Sequence, residues 1–232
     1  MAKKEKFKTM HNVFDHFTNR VIDKLINEGH FEGLQSPLFV GKESNVFSAL
    51  TATGGYVVVK IYRLEVCDFN KMYDYIRYDP RFPRMKRNKR DIVFSWAQRE
   101  YRNLLNARKA GVAVPMVMTV RDNVLVMEQV GIDSPAPKVK DAPPQKPENF
   151  MGIVIAQMKL LHKARLVHGD LSQFNILNLD EQPVLIDFSQ CSDLGHPRAR
   201  EFLERDVRNV CRYFAKLGIR KEEEKVFREV IS

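Results

Sequence analysis

The 232-residue sequence has few cysteines and no long apolar run. Its three cysteines, Cys67, Cys191 and Cys211, lie far apart and form no C-x-x-C pair. This argues against a disulfide framework or a zinc site and favours a reducing cytoplasm. No apolar run approaches the ~18 residues that a membrane span needs, and the first eight residues contain no apolar signal core. We therefore expect a soluble, cytoplasmic protein that is not bound to a membrane.

Acidic residues are also in deficit. Lys and Arg number 38 against 29 Asp and Glu, which gives a net charge of +9 and an isoelectric point near 9.5. This balance favours anionic partners such as a nucleotide, RNA or a ribonucleoprotein surface, although a solvated basic surface explains it equally. A hydrophobic content of 44% excludes a disordered composition, and the length allows one large domain or two small lobes.

The densest set of candidate functional residues lies between residues 166 and 190. Two short apolar runs, 174–177 and 184–186, predict the strands of a hairpin. Such a hairpin returns Asp187 to the neighbourhood of Asn175, where a carboxylate and an amide oxygen can share a divalent ion. Oxygen ligands of this kind suit Mg²⁺ that is bound together with substrate phosphates.

Asp170, five residues before Asn175, is placed to orient or accept the proton of an attacking hydroxyl. Written as a pattern, H-G-D-L-x-x-x-N followed by D-F-S resembles the catalytic and metal-binding loops of protein kinases. Gly169 replaces the usual Arg of the first motif, and Ser189 replaces the Gly of the second. The alternative is a hairpin with ordinary polar turn residues.

A candidate phosphate-binding region precedes this loop. Residues 38–63 predict three strands joined by a Gly-Lys turn at Gly41 and by a Thr-Gly-Gly turn. Lys60, in V-V-K, resembles the kinase lysine that holds the α- and β-phosphates; the alternative is an exposed lysine on an edge strand. Glu100, in a helix predicted over residues 91–110, can pair with Lys60; the alternative is one more charge on the helix surface.

A long irregular segment separates Lys60 from this helix. Residues 77–90 hold seven Arg or Lys and two Pro, which predicts a mobile basic loop that contacts RNA or nucleotide, or a loop that is merely solvated. The expected organisation is a basic tail at 1–9, an N-terminal helix region at 10–37, an N-lobe at 38–131 with the mobile loop at about 66–90, and a C-lobe at 132–232.

The middle and the end of the chain define the subclass. Met127-Glu-Gln-Val-Gly131 resembles a kinase hinge, in which backbone groups of Met127, Glu128 and Val130 bond adenine. After Asp187 only 232 − 187 = 45 residues remain, with no A-P-E motif and one clear amphipathic helix. We therefore predict an α+β, two-lobed, protein-kinase-like fold whose C-lobe lacks an activation segment and peptide-docking helices.

Together these motifs resemble the RIO family of atypical protein kinases, most closely its type-one branch in an archaeal form without a winged-helix domain. The matching stretches are G-K-E-S-N-V, V-V-K-I-Y, V-L-V-M-E-Q-V-G, A-P-K-V-K-D, L-V-H-G-D-L-S-Q-F-N-I-L, I-D-F-S-Q and H-P-R-A-R-E-F-L-E-R-D-V-R-N-V. The resemblance runs from the predicted N-terminal helix to the last predicted helix and so covers nearly the whole chain.

The resemblance implies an ATP-dependent serine protein kinase or ATPase that phosphorylates itself and acts in maturation of the small ribosomal subunit. It implies ATP with Mg²⁺, or Mn²⁺ instead, and the protein and RNA of a subunit precursor as partners. Asp170 is then the base and Asp187 a metal ligand with Asn175 and also a possible phosphoryl acceptor. The implied ATP contacts are Gly41, Lys42, Glu43, Ser44, Val46, Lys60, Glu100, Met127, Glu128 and Val130.

Two other functions remain open at this point. Small-molecule phosphotransferases of the aminoglycoside or choline kinase type also use H-G-D and a later D-F or D-W. They usually place His after the Asp-Leu pair and carry a longer C-terminal lobe, and this sequence has neither. The other possibility is a nucleotide-gated ribosome assembly factor with little kinase activity. The basic loop and the absence of docking helices favour it.

Overall fold

The computed structural model describes residues 14–83, 85–132 and 134–232. These residues form two compact units. The first unit contains the described residues up to Tyr73, the stretch 85–101 and the stretch 117–129, and the second contains 74–83, 102–116 and the chain from 130 onward. The expected basic tail at 1–9 lies outside the described residues, and the expected boundaries at residues 37 and 131 stay predictions.

An antiparallel five-stranded sheet is the main feature of the first unit. Its order is β1-β2-β3-β5-β4, with β1 at Gly33–Val40, β2 at Ser44–Leu50, β3 at Tyr56–Tyr62, β4 at Val117–Arg121 and β5 at Val124–Glu128. The valine-rich strand β3 pairs with β2 on one side and with β5 on the other. The three strands predicted between residues 38 and 63 are present, and the first begins earlier than expected.

Helix α1 (His16–Asn27) contributes to the core of the first unit. The Asp15 carboxylate accepts hydrogen bonds from the backbone N–H groups of Phe17 and Thr18 and so caps the helix that begins at His16. It ends before Gly29, whose φ is +80°. Its buried apolar stripe joins one cluster with side chains of the sheet, which includes Val21, Ile22, Leu25, Phe47, Ala49, Val57, Val59 and Val126.

The segment between Lys60 and the next long helix is not wholly irregular. Residues Phe69–Ile76 form helix α2, and helix α3 spans Lys89–Lys109. The expectation of an irregular loop over about 66–90 is therefore wrong for Phe69–Ile76. The helix forms because Met72 and Ile76, one turn apart, are both buried, at 1% and 0% exposure.

The second unit is built from helices and short strand pairs. Its elements are α4 (Pro147–Lys163), β6 (Leu166–Val167), β7 (Ile176–Leu179), β8 (Gln182–Leu185), a 3₁₀ turn (Phe188–Gln190), β9 (Ser192–Asp193), α5 (Ala199–Lys216) and α6 (Glu223–Ile231). Strand β6 pairs with β9, and β7 pairs with β8. Helix α6 follows the single helix expected after Asp187 and buries Val226 and Val230.

The helices also bear on membrane association. Within residues 14–83, 85–132 and 134–232, no helix combines the length and the apolar character that a bilayer crossing requires.

Candidate active site

The catalytic-loop motif joins β6 to β7 in the second unit. The side-chain amide of Asn175 donates to the backbone oxygen of Asp170 at 2.8 Å and to the Asp170 carboxylate at 3.3 Å. These bonds close the loop and hold the proposed base beside Asn175. Both side chains are partly exposed, so a substrate can reach them.

Gly169 has a geometric reason to replace the usual Arg. Its φ is +79°, and a Cβ atom built on it would lie 2.9 Å from the backbone oxygen of Gln190. The loop thus passes too close to the D-F-S-Q segment for a side chain, and its backbone conformation favours glycine.

The hairpin places Asp187 near Asn175. Ile176 pairs with Leu185, and the Ile186 N–H donates to the Asn175 oxygen at 3.0 Å, so Asp187 follows the residue that pairs with Asn175. Asp187 has left-handed backbone angles, with φ 62° and ψ 70°. Its carboxylate accepts the Ser189 hydroxyl at 2.7 Å. The structure therefore brings Asp170, Asn175 and Asp187 together at one end of the hairpin.

The side chains of Asn175 and Asp187 fit a Mg²⁺ ion. The Asn175 NH₂ group is used on Asp170, which leaves the amide oxygen of Asn175 as the group able to face a metal. An amide oxygen and a carboxylate match the preference of Mg²⁺ for a few protein ligands completed by water and phosphates. Across the described ranges no three His, Cys, Asp or Glu residues cluster to form a metal site of their own.

Sequence reasoning missed Asp206, which holds the catalytic loop from helix α5. Its side chain is fully buried, and its two carboxylate oxygens accept the N–H groups of Gly169 and Leu171 at 2.7 and 2.8 Å. Burial raises the pKa of Asp206 to about 7, although the two N–H donors oppose this shift. Arg205 donates to the Gly169 oxygen and Asn209 to the Leu171 oxygen. The sequence feature that could have indicated the role of Asp206 was its position as a charged residue on the buried face of α5.

The first unit carries the predicted phosphate lysine. Lys60 lies on β3, between β2 and β5, and not on an edge strand. Its Nζ atom lies 2.8 Å from Oε1 of Glu100, with side chains 8% and 1% exposed. The Tyr62 hydroxyl donates to the other carboxylate oxygen of Glu100. The pairing expected from sequence is present, and its role towards phosphates stays a prediction.

The other predicted ATP contacts lie at the ends of strands. Gly41, Lys42 and Glu43 form the turn between β1 and β2, closed by a 3.0 Å bond from the Gly41 N–H to the Ser44 oxygen. A Cβ atom on Gly41 would meet the Phe39 ring at 2.5 Å and the Ser44 oxygen at 3.1 Å. A larger residue at this position would require the exposed Phe39 ring to move and the turn to relax slightly. Ser44 is buried, whereas Lys42 is exposed.

The remaining predicted ATP contacts are Val46, Met127, Glu128 and Val130. Met127 and Glu128 end strand β5, and Val46 lies opposite Lys60 in β2. The Val130 carbonyl accepts the N–H of Ala136 at 2.8 Å, so one of its lone pairs is already used within the chain. Their contacts with a nucleotide stay predictions.

The sequence is similar to that of known kinases. A family model described as the RIO domain matches residues 45–227. The chain belongs to the RIO kinase family. The RIO-type serine/threonine-protein kinase Rio1 of Haloferax volcanii is 42% identical over 215 residues, covering 92% of this chain and 74% of that protein. Rio1 of Methanocaldococcus jannaschii is 41% identical over 212 residues, covering 90% and 72%.

A solved structure supports the fold. The Rio2 kinase-ADP/Mg²⁺-phosphoaspartate complex from Chaetomium thermophilum superposes with a TM-score of 0.68 at 21% identity, covering 90% of this chain and 65% of that one. At this identity the similarity shows the fold alone. The expected RIO family, its Rio1 branch and the kinase-like α+β fold are confirmed. Residues 188–198 are all that lies between Asp187 and α5, where larger kinases carry an activation segment.

Proposed function

We propose that this RIO kinase transfers the γ-phosphoryl group of ATP to protein serine with Mg²⁺ and also hydrolyses ATP. The grouping of Asp170, Asn175 and Asp187 at one end of the β7–β8 hairpin carries this proposal. Phosphoryl transfer depends mainly on positioning and on neutralising charge, and this group supplies a base and two oxygen ligands. Membership in the RIO family favours it over a small-molecule phosphotransferase.

Each residue has a distinct role in the proposed reaction. Asp170 orients the attacking hydroxyl and accepts its proton. Asn175 and Asp187 hold Mg²⁺, which when bound offsets the negative charge of the phosphates. Lys60, kept in place by Glu100, is proposed to bind phosphate oxygens of the same nucleotide.

Asp187 is also proposed as a phosphoryl acceptor. One of its carboxylate oxygens attacks the γ-phosphorus, the bond to the bridging oxygen breaks, and ADP leaves with the electron pair. Water then attacks the phosphorus, which releases phosphate and restores the carboxylate. The phosphoaspartate in the Chaetomium thermophilum Rio2 complex supports this step.

We further propose that the protein phosphorylates itself and acts in the cytoplasm on a precursor of the small ribosomal subunit. The net charge of +9 supports an anionic partner. In the basic segment, Arg87 lies over the Tyr73 ring at 4.9 Å and Lys89 over the Phe69 ring at 5.1 Å. Cations next to aromatic rings suit contact with RNA bases and phosphates.

A nucleotide-gated assembly factor with slow turnover is the second candidate. The short connection at residues 188–198 favours it, because this stretch offers little chain on which to dock a peptide substrate. Both functions use the same nucleotide site and differ in the fate of the phosphoryl group.

Two substitutions test the assigned roles. Asp170→Asn should abolish phosphoryl transfer and spare ATP affinity, because the base does not hold nucleotide. Asp187→Asn should also remove the Mg²⁺-dependent part of ATP affinity. Asp180→Asn is a matched control, since Asp180 lies at the exposed far turn of the same hairpin with φ 48°, which Asn tolerates. Equal loss of ATP binding in the Asp170 and Asp187 variants would overturn the assignment.

A further inference from the structure

The segment Asp187–Cys191, called here the metal loop, is held by a side chain from helix α3. The Asn103 amide nitrogen donates to the backbone oxygens of Phe188 and Cys191 at 2.9 and 2.8 Å. Asn103 is fully buried, at 0% exposure. Both hydrogens of this NH₂ group are therefore used, one at each end of the 3₁₀ turn.

The amide of Asn103 is oriented by Arg81. Its oxygen accepts the Arg81 guanidinium at 2.7 Å. The same guanidinium makes two bonds with the Asp79 carboxylate, at 2.8 and 2.6 Å. A flipped Asn103 amide would point its NH₂ group at the Arg81 cation and its oxygen at two carbonyls. The hydrogen bonds from Asp79 through Arg81 to Asn103 therefore permit only one orientation of this amide.

A second bond reaches the metal loop from helix α2. The Tyr75 hydroxyl donates to the Gln190 side-chain oxygen at 2.9 Å, and both residues are buried. The Tyr75 ring stacks on His196 and Phe202, with centroids 6.0 and 5.2 Å away. Packing therefore fixes the hydroxyl that holds Gln190.

We propose that Arg81, Asn103 and Tyr75 are positioning residues for Asp187. This inference rests on the proposed role of Asp187 as a Mg²⁺ ligand. Asp187 has left-handed backbone angles, which are uncommon for a non-glycine residue and are maintained here by the surrounding structure. The bonds to residues 188, 190 and 191 begin immediately after Asp187 and supply that constraint. Arg81, Asn103 and Tyr75 thus set metal affinity through the metal loop.

The test measures binding rather than turnover. Affinity for a non-hydrolysable ATP analogue is determined by calorimetry with Mg²⁺ and with EDTA, and the ratio gives the Mg²⁺-dependent gain. Arg81→Ala should reduce this gain about tenfold, near the lower limit for one hydrogen bond to a charged group, and leave affinity in EDTA unchanged. Tyr75→Phe, which keeps the stacked ring, should reduce it about threefold.

Arg77→Ala is the matched control. Arg77 is four residues before Arg81, but it contacts the Asp74 carboxylate, at 3.3 Å, and the Tyr78 ring. It should keep the full Mg²⁺-dependent gain. Thermal unfolding of each variant confirms that the compared proteins are folded.

The outcomes separate the inference from the proposed function. Arg81→Ala with an undiminished Mg²⁺-dependent gain would overturn the positioning role, as would an equal loss of affinity with and without Mg²⁺. Asp187→Asn is measured beside it. If Asp187→Asn loses the gain and Arg81→Ala does not, only the positioning role fails; if Asp187→Asn keeps the gain, the proposed metal site itself fails.

Discussion

Removal of the Lys60 charge tests how much the buried ion pair between Lys60 and Glu100 contributes to the free energy of unfolding. In Lys60→Met the carboxylate of Glu100, 1% exposed, loses its cation and keeps the Tyr62 hydroxyl as a donor. Breaking a buried pair costs about 3–5 kcal/mol because the remaining charge stays desolvated. Since the hydrogen bond from Tyr62 to Glu100 remains, we expect a loss near the lower limit, about 3 kcal/mol.

Removing both charges should cost less than removing one. The double variant Lys60→Met with Glu100→Gln leaves no desolvated charge, so we expect it to lie within about 1–2 kcal/mol of the wild type. Urea denaturation of the wild type, both single variants and the double variant gives the coupling free energy, for which we expect about 2 kcal/mol or more. Lys71→Met, on the exposed surface, is the control and should change stability by less than about 0.5 kcal/mol.

A coupling free energy near zero would refute this reasoning. It would mean that the charges of Lys60 and Glu100 are screened by water and that the pair does not fix the lysine. The proposed use of Lys60 on phosphates would then lose its structural support.

Three further predictions concern the catalytic loop and the basic segment. Because burial raises the pKa of Asp206 to about 7, the folded state binds more protons than the unfolded state between about pH 4 and 7. The free energy of unfolding should therefore fall as pH rises across this range, by at most about 4 kcal/mol. Asp206→Asn should remove this pH dependence in urea titrations. Gly169→Ala should lower the melting temperature by several degrees and reduce phosphoryl transfer, whereas Gly152→Ala, where a Cβ meets nothing within 4 Å, should do neither. Arg87→Ala should weaken RNA binding and lower its salt dependence by about one unit of slope; unchanged affinity at low salt would show that the residue is merely solvated.

The parts of the site that follow a local pattern could be predicted from the sequence. The run of valines before Lys60 predicts a strand, and a glycine turn on its own predicts a reversal of the chain. The replacement of Arg by Gly169 was visible as a departure from the kinase motif. Its cause, the approach of the Gln190 backbone, was not visible, because residues distant in sequence create it.

The residues that support the site could not be predicted in the same way. Asn103 and Asp206 lie on helices where polar residues usually face solvent, and their partners lie 85 and 37 residues away. Helix α2 was missed because the strongly basic stretch after it dominated the composition. The burial of Met72 and Ile76 is decided by packing, and a spacing of four residues in an eight-residue helix is a weak signal.

The central claim is that this RIO kinase moves a phosphoryl group from ATP with Asp170 and Asp187. The most direct measurement incubates the protein with γ-labelled ATP and Mg²⁺ and treats the labelled protein with acid and with hydroxylamine. We predict label in the wild type and none in Asp187→Asn; loss of the label to hydroxylamine would place it on a carboxylate, and resistance would place it on serine. If the wild type gave no label and released no phosphate, the account would be contradicted.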